Sequence, residues 1–160
     1  MKLLSALILT ILCFVAFSTS AAQQAPNWQL KTQAGKIIRS SDYQGQPIIL
    51  HFWATWCPYC RRLQPKLVGL QHKYKDQGVK IVAISILEDE GAKPQDEIDQ
   101  RGYDFITAVK GETVATQYGV RGTPTTFFIN RNNDVVFATS SSDVNDPRFE
   151  LSIKEMIKKH

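Results

Sequence analysis

Pro47-Ile48-Ile49-Leu50-His51-Phe52-Trp53-Ala54 is a nearly unbroken apolar run, and it passes with no linker into a stretch of helical period. A run of that length reads as a central strand covered on both faces. Beyond it, Leu63, Leu67, Leu70 and Tyr74 recur at i, i+4, i+7 and i+11, the stripe of an amphipathic helix that ends near Gly78. A buried strand that feeds straight into such a helix commits the chain to an α/β architecture, a sheet with helices on its faces. The junction itself reads Trp56-Cys57-Pro58-Tyr59-Cys60.

The flanking sequence fits the same plan. Asn27–Gln33 and Gly35–Ser40 read as short strands around a turn, an N-terminal hairpin, followed by a polar turn at Ser41–Gln46. Val79–Leu87 is a second buried strand, and the acidic Glu88–Asp99 stretch reads as a solvated loop and helix face. Phe105–Val109 is a short strand, and Glu112–Tyr118 a short helix stopped by Gly119. Thr125–Asn130 and Val135–Thr139 form strands joined by a turn-rich Arg131-Asn132-Asn133-Asp134, as an antiparallel hairpin requires. Asp146-Pro147 opens a last helix that buries Phe149, Ile153, Met156 and Ile157. The result is a central mixed β-sheet flanked by helices, with no repeat or linker to divide it into two domains.

The N-terminal 22 residues are of a different kind. Met1-Lys2 is a basic start, Leu3 to Phe17 is uncharged and mostly apolar, and Ser18 to Ala22 are small. That order is a secretory signal, with Ser20-x-Ala22 as the cleavage site; an uncleaved anchor is the competing reading. Residues 1–22 are therefore expected to be the export segment and 23–160 the folded domain, periplasmic or otherwise exported. The segment holds Lys2 and Cys13, so removing it takes the formal charge from +4 to +3 and leaves Cys57 and Cys60 as the remaining cysteines. So small a charge gives no reason to expect nucleic acid as a partner. A domain of this size needs no disulfide staple, and a bridge across four residues would stabilise it little.

The pair is better explained by chemistry. At the start of a helix Cys57 meets unpaired N–H groups and the positive end of the dipole, which favour a thiolate. Cys60 comes round one turn later, within reach to resolve a mixed disulfide formed at Cys57. Pro58 suits the first turn, where its missing N–H has no partner to lose, and Arg61 and Arg62 add positive charge nearby. Copper(I) binding by the two sulfurs is the rival reading. Zinc would need further ligands, and none of His51, His72 and His160 is spaced beside the pair, so no metal is assigned.

Ile49 through Cys60, with its Phe-Trp-Ala-Thr-Trp-Cys form, resembles the active-site stretch of the thioredoxin superfamily. It is most similar to the exported TlpA/ResA/CcmG(DsbE)-like thiol–disulfide oxidoreductases. Pro65 matches the helix-kinking proline of thioredoxins, and Val120 to Phe127 matches the segment that carries their cis-proline. The resemblance runs from about Trp28 to the C-terminus. It implies a thioredoxin-like fold with an N-terminal β-hairpin extension, and an enzyme whose redox group is the Cys57–Cys60 disulfide, with no other cofactor. It further implies that Thr123–Pro124 is cis and docks substrate proteins together with Trp56, while Pro58, Tyr59 and His51 modulate the pair.

The implied partners are proteins with cysteines or disulfides, and a DsbD-type membrane electron donor that keeps a monomeric protein reduced. Two positions depart from the family. His51 stands where many thioredoxins carry a buried Asp, and can be read either as a proton relay or as a neutral core histidine. Leu63 stands where ResA-like reductases place a Glu. A DsbA-like oxidant or disulfide isomerase is the alternative within the enzyme class, although no large helical insertion fits between Ile86 and Phe105. A peroxidase would need Pro-x-x-x-Thr-x-x-Cys, whereas Thr55 precedes Cys57 by only two residues.

Overall fold

The computed structural model describes residues 23–158; the expected signal or anchor segment at 1–22, Cys13 and His160 lie outside them. The apolar run becomes strand β3 (Ile48–Trp53), and all six of its residues are buried. It lies in the middle of a seven-stranded sheet made by β1 (Gln29–Thr32), β2 (Ile37–Arg39), β3, β4 (Lys80–Ser85), β5 (Ile106–Val109), β6 (Thr125–Ile129) and β7 (Val135–Thr139). Their spatial order is β2-β1-β5-β4-β3-β6-β7. The pairs β3–β4 and β4–β5 are parallel, and the others are antiparallel, so the sheet is mixed as expected. The N-terminal hairpin β1–β2 adds to the free edge of β5.

Among the described residues four helices cover the two faces: α1 (Pro58–Lys73), α2 (Pro94–Gln100), α3 (Glu112–Gln117) and α4 (Arg148–Met156). Strand alternation sorts the core. Ile49 and Trp53 pack with Leu63, Leu67 and Leu70 of α1, Ile98 of α2 and Phe149, Ile153 and Met156 of α4. Leu50 and Phe52 point the other way, towards Val114 and Ala115 of α3 and the N-terminal Ala25 and Trp28. Each large side chain buried in these layers contributes roughly 1.5–3 kcal/mol. Among the described residues no helix is long and apolar enough to cross a membrane.

Several boundaries differ from the sequence reading, each for a local reason. The α1 helix ends at Lys73, and a single 3-10 turn (Lys75–Gln77) carries the chain to Gly78, whose φ of 79° reverses it. The expected polar turn after β2 closes into a 3-10 turn at Ser40–Tyr43. Pro147 already has helical φ and ψ, and the Asp146 carboxylate accepts the Arg148 N–H at 2.9 Å, as an N-cap side chain does. The Glu88–Asp99 stretch is less solvated than expected. Its Ile98 is fully buried, and Glu88 turns inward to bond the loop before Cys57.

Candidate active site

Strand β3 ends at Trp53, at the C-terminal end of the parallel strands, and the turn Ala54–Cys57 converts the chain into α1. The Cys57 N–H donates to the Ala54 carbonyl at 3.1 Å, closing that turn. Cys57 is the N-cap of α1, with extended φ and ψ, and Pro58 occupies the first helical position. The Cys57 Sγ accepts the Cys60 N–H at 3.1 Å, which answers one of the donors a helix start leaves open. The two cysteines are joined as a disulfide with their Cα atoms 5.3 Å apart. Cys60 is fully buried, and Cys57 retains 2% exposure. A sulfur arriving from solvent therefore meets Cys57 first.

Trp56 and Tyr59 flank the pair, 48% and 56% exposed. The Trp56 indole Nε1 donates to the Leu87 carbonyl at 2.7 Å, and the Arg62 guanidinium lies over the Tyr59 ring at 5.2 Å. The Thr123–Pro124 peptide is cis. Thr125 pairs with Phe52 of β3, so Pro124, immediately before β6, sits beside the strand end that leads to Cys57. Pro124 is buried and Thr123 half-buried. Pro65 lies inside α1.

His51 is fully buried on the α1 face of β3, two residues before Trp53. Its Nδ1 lies 3.0 Å from the Thr126 hydroxyl, while Nε2 has no hydrogen-bond partner. Burial lowers its pKa to about 3, so the ring is uncharged at neutral pH. The two arginines after the pair are engaged elsewhere. Arg61 donates through Nε and its terminal nitrogen to the Thr55 carbonyl, at 3.1 and 2.6 Å, and Arg62 reaches the Ser142 hydroxyl at 3.0 Å.

Sequence reading missed the support beneath this turn. The Glu88 carboxylate accepts the Thr55 N–H at 3.0 Å, the Thr55 hydroxyl at 2.6 Å and the Ser85 hydroxyl at 2.8 Å. With Arg61 on its carbonyl, the Thr55 residue is held on both sides by charged groups. No local pattern announces this, because Glu88 lies 33 residues beyond Thr55 in an acidic stretch. A cavity of about 300 Å³ lies elsewhere. Ile48, Ile129 and Asn130 line it at the other end of the same strands, so the thiol pair and not the cavity defines the site.

Known proteins bear on this geometry. The chain is 38% identical over 117 residues to the thiol-disulfide oxidoreductase ResA of Halalkalibacterium halodurans, a match covering 72% of this chain and 66% of that one. A ResA of Bacillus cereus is 30% identical over 138 residues, covering 86% and 76%. The chain thus spans about two thirds to three quarters of the length of these relatives. Among solved structures, a candidate thiol:disulfide interchange protein DsbE from Chlorobium tepidum superposes with a TM-score of 0.72 at 30% identity, over 86% of this chain and 97% of that one. The AhpC/TSA family model matches residues 21–138, and with this fold and these relatives the chain belongs to that thioredoxin-like family.

Proposed function

We propose that the chain is an exported thiol–disulfide oxidoreductase that reduces disulfides of other proteins. The observation that carries this reading is the N-cap Cys57, whose sulfur takes the Cys60 N–H while Cys60 lies buried one turn further on. In the reduced protein the Cys57 thiolate attacks one sulfur of the partner's disulfide. A bond forms between those sulfurs, and the partner's other sulfur leaves as a thiolate that takes up a proton. Cys60 gives up its proton and attacks Cys57 Sγ, releasing the partner's second thiolate. Two electrons have then passed to the partner, and the pair ends as the Cys57–Cys60 disulfide. A membrane dithiol of the DsbD type would return it to the reduced state.

The surroundings of the pair support the reducing direction. A strong oxidant owes its potential to a reduced form stabilised as a thiolate. Here Arg61 and Arg62 are bonded elsewhere and His51 is uncharged at neutral pH, so the Cys57 sulfur is left mainly with the helix start. The names of the ResA and DsbE relatives support the reaction class, and the signal-like 1–22 segment supports export.

Insulin reduction by the full chain tests the reading. Cys57→Ser is expected to abolish it, and Cys60→Ser to accumulate mixed disulfides with client proteins. Reduction that survives Cys57→Ser would overturn the assigned roles. Stoichiometric copper(I) retention against a strong chelator, with no insulin reduction by the wild type, would overturn the oxidoreductase reading.

A further inference from the structure

The cavity at the end of β3 away from Cys57 is walled by five separate stretches of chain. Trp28 comes from the segment that leads into β1, Tyr43 from the 3-10 turn after β2, Leu50 from β3, Tyr118 from the end of α3 and Ile129 from β6. Voids left by packing are seldom larger than one water, and a space of about 300 Å³ is many times that size. It falls instead at the lower end of the range of ligand pockets. Leu50, at its floor, is fully buried, while Ser41 and Gln44 are exposed and mark its mouth.

Hydrogen bonds hold the walls apart. The Ser40 hydroxyl accepts the Trp28 N–H at 3.1 Å, and the Ser40 N–H donates to the Trp28 carbonyl at 3.0 Å. The Tyr118 hydroxyl donates to the Pro26 carbonyl at 2.8 Å, and the Gln46 N–H to the Tyr43 carbonyl at 3.0 Å. The pocket is therefore formed before anything enters it, and filling it orders no further chain. Its lining is aromatic and uncharged. The Trp28 and Tyr43 rings stand with centroids 6.4 Å apart and planes inclined at 35°, and Tyr118 adds a third ring. No carboxylate lines the pocket, and its one cation, Arg131, is bonded elsewhere, to the Ile157 and Gln77 carbonyls. An ion that entered would lose its water without meeting a free opposite charge. A neutral polar group, by contrast, would find the Ser41 hydroxyl and the Gln44 amide at the mouth.

We infer that this pocket is a second binding site of the chain, one that takes a small neutral aromatic molecule bearing a hydroxyl or amide group, its ring packed against Trp28 and Tyr43. The site is separate from the thiol pair, and the inference stands without the oxidoreductase reading above.

The test titrates 2-naphthol into the 15N-labelled full chain, with 2-naphthoate and cyclohexanol as controls, and follows the indole N–H signals of Trp28, Trp53 and Trp56. The neutral ring is expected to shift the Trp28 signal saturably and to bind about tenfold or more tightly than the anionic and the aliphatic control. Tyr43→Ala, which removes one wall, weakens binding about tenfold, the scale of a buried aromatic contact. Ser41→Trp, at an exposed position of the mouth, blocks the opening and abolishes the shift while leaving the core untouched. Should Tyr43→Ala fail to fold, Ser41→Trp and the two controls decide. A Trp28 signal that does not move saturably would overturn the inference, as would a shift that survives Ser41→Trp. Equal binding of either control would overturn the assigned class of ligand. A shift centred on the Trp56 indole would put the ring at the thiol pair and overturn the second site.

Discussion

His51 shows how far a residue's role is set by its surroundings. From the sequence it was a histidine where a related protein keeps an acid, open to two readings. Its burial in β3 decides its charge: with its pKa lowered from 6.5 to about 3, it stays neutral through the physiological range. The consequence is a stability slope of definite sign. The unfolded chain takes up this proton as pH falls through 6.5, and the folded chain does so only near 3, so stability is full above 6.5 and is lost as pH falls across that window. At about 1.4 kcal/mol per pH unit, this one group should cost the fold about 2 kcal/mol by pH 5. Urea unfolding at pH 7 and pH 5 checks it. His51→Asn, which cannot titrate here, should flatten the slope by that amount, and an unchanged slope would mean that the imidazole is not held neutral. Cys57 and Cys60 were legible because their chemistry depends on a spacing of three along one chain. Glu88 was not, because its bonds to Thr55 are made across the sheet.

At the scale of elements, period and punctuation carried most of the reading. β3 and α1 announced themselves through an apolar run and a leucine stripe, and both are found there, although α1 stops at Lys73 and a 3-10 turn carries the chain on to Gly78. The α2 helix was harder to see, since Pro94 and Ile98 are its only buried residues and its first turn is acidic. Gly111, the N-cap of α3, looked like any turn glycine. Its φ of −89° asks nothing of glycine; the space does. A Cβ there would stand 2.0 Å from Ile84 Cγ2, 3.2 Å from Ile86 Cγ2 and 3.2 Å from the Ser85 carbonyl. Ile84 is fully buried, so it has little room to yield. Gly111→Ala is therefore expected to destabilise the fold by about 1–3 kcal/mol, the usual range for overpacking, and to lower the urea midpoint. A midpoint equal to wild type would show that β4 and α3 can part without loss. No sequence pattern marks such a contact, because it depends on how closely two elements distant in the chain approach.

For the whole molecule, the first described residues set an orientation. The Gln23 carbonyl accepts the Val135 N–H at 2.8 Å, and the Ala25 N–H donates to the Asn133 carbonyl at 2.8 Å. The chain thus enters beside the start of β7, at the end of the sheet away from the β3 terminus that carries Cys57. The same fold links redox state to stability. Around a thermodynamic cycle, the stability difference between oxidised and reduced protein equals the difference in potential of the pair in the folded and the unfolded chain, about 1.4 kcal/mol for every 30 mV. A four-residue loop restrains the unfolded chain little, so that difference originates in the native state. There the Cys60 N–H already reaches the Cys57 sulfur in the disulfide form, and neither arginine is free to meet a reduced sulfur, since each is bonded elsewhere. Cys60 is fully buried, which disfavours a charged sulfur at that position. The oxidised protein is accordingly expected to unfold at the higher urea concentration, the ordering that makes the reduced pair an electron donor. Paired urea curves in oxidant and in excess dithiothreitol decide it. A reduced form that outlasts the oxidised one would reverse the proposed direction of electron flow and assign the pair to an oxidant.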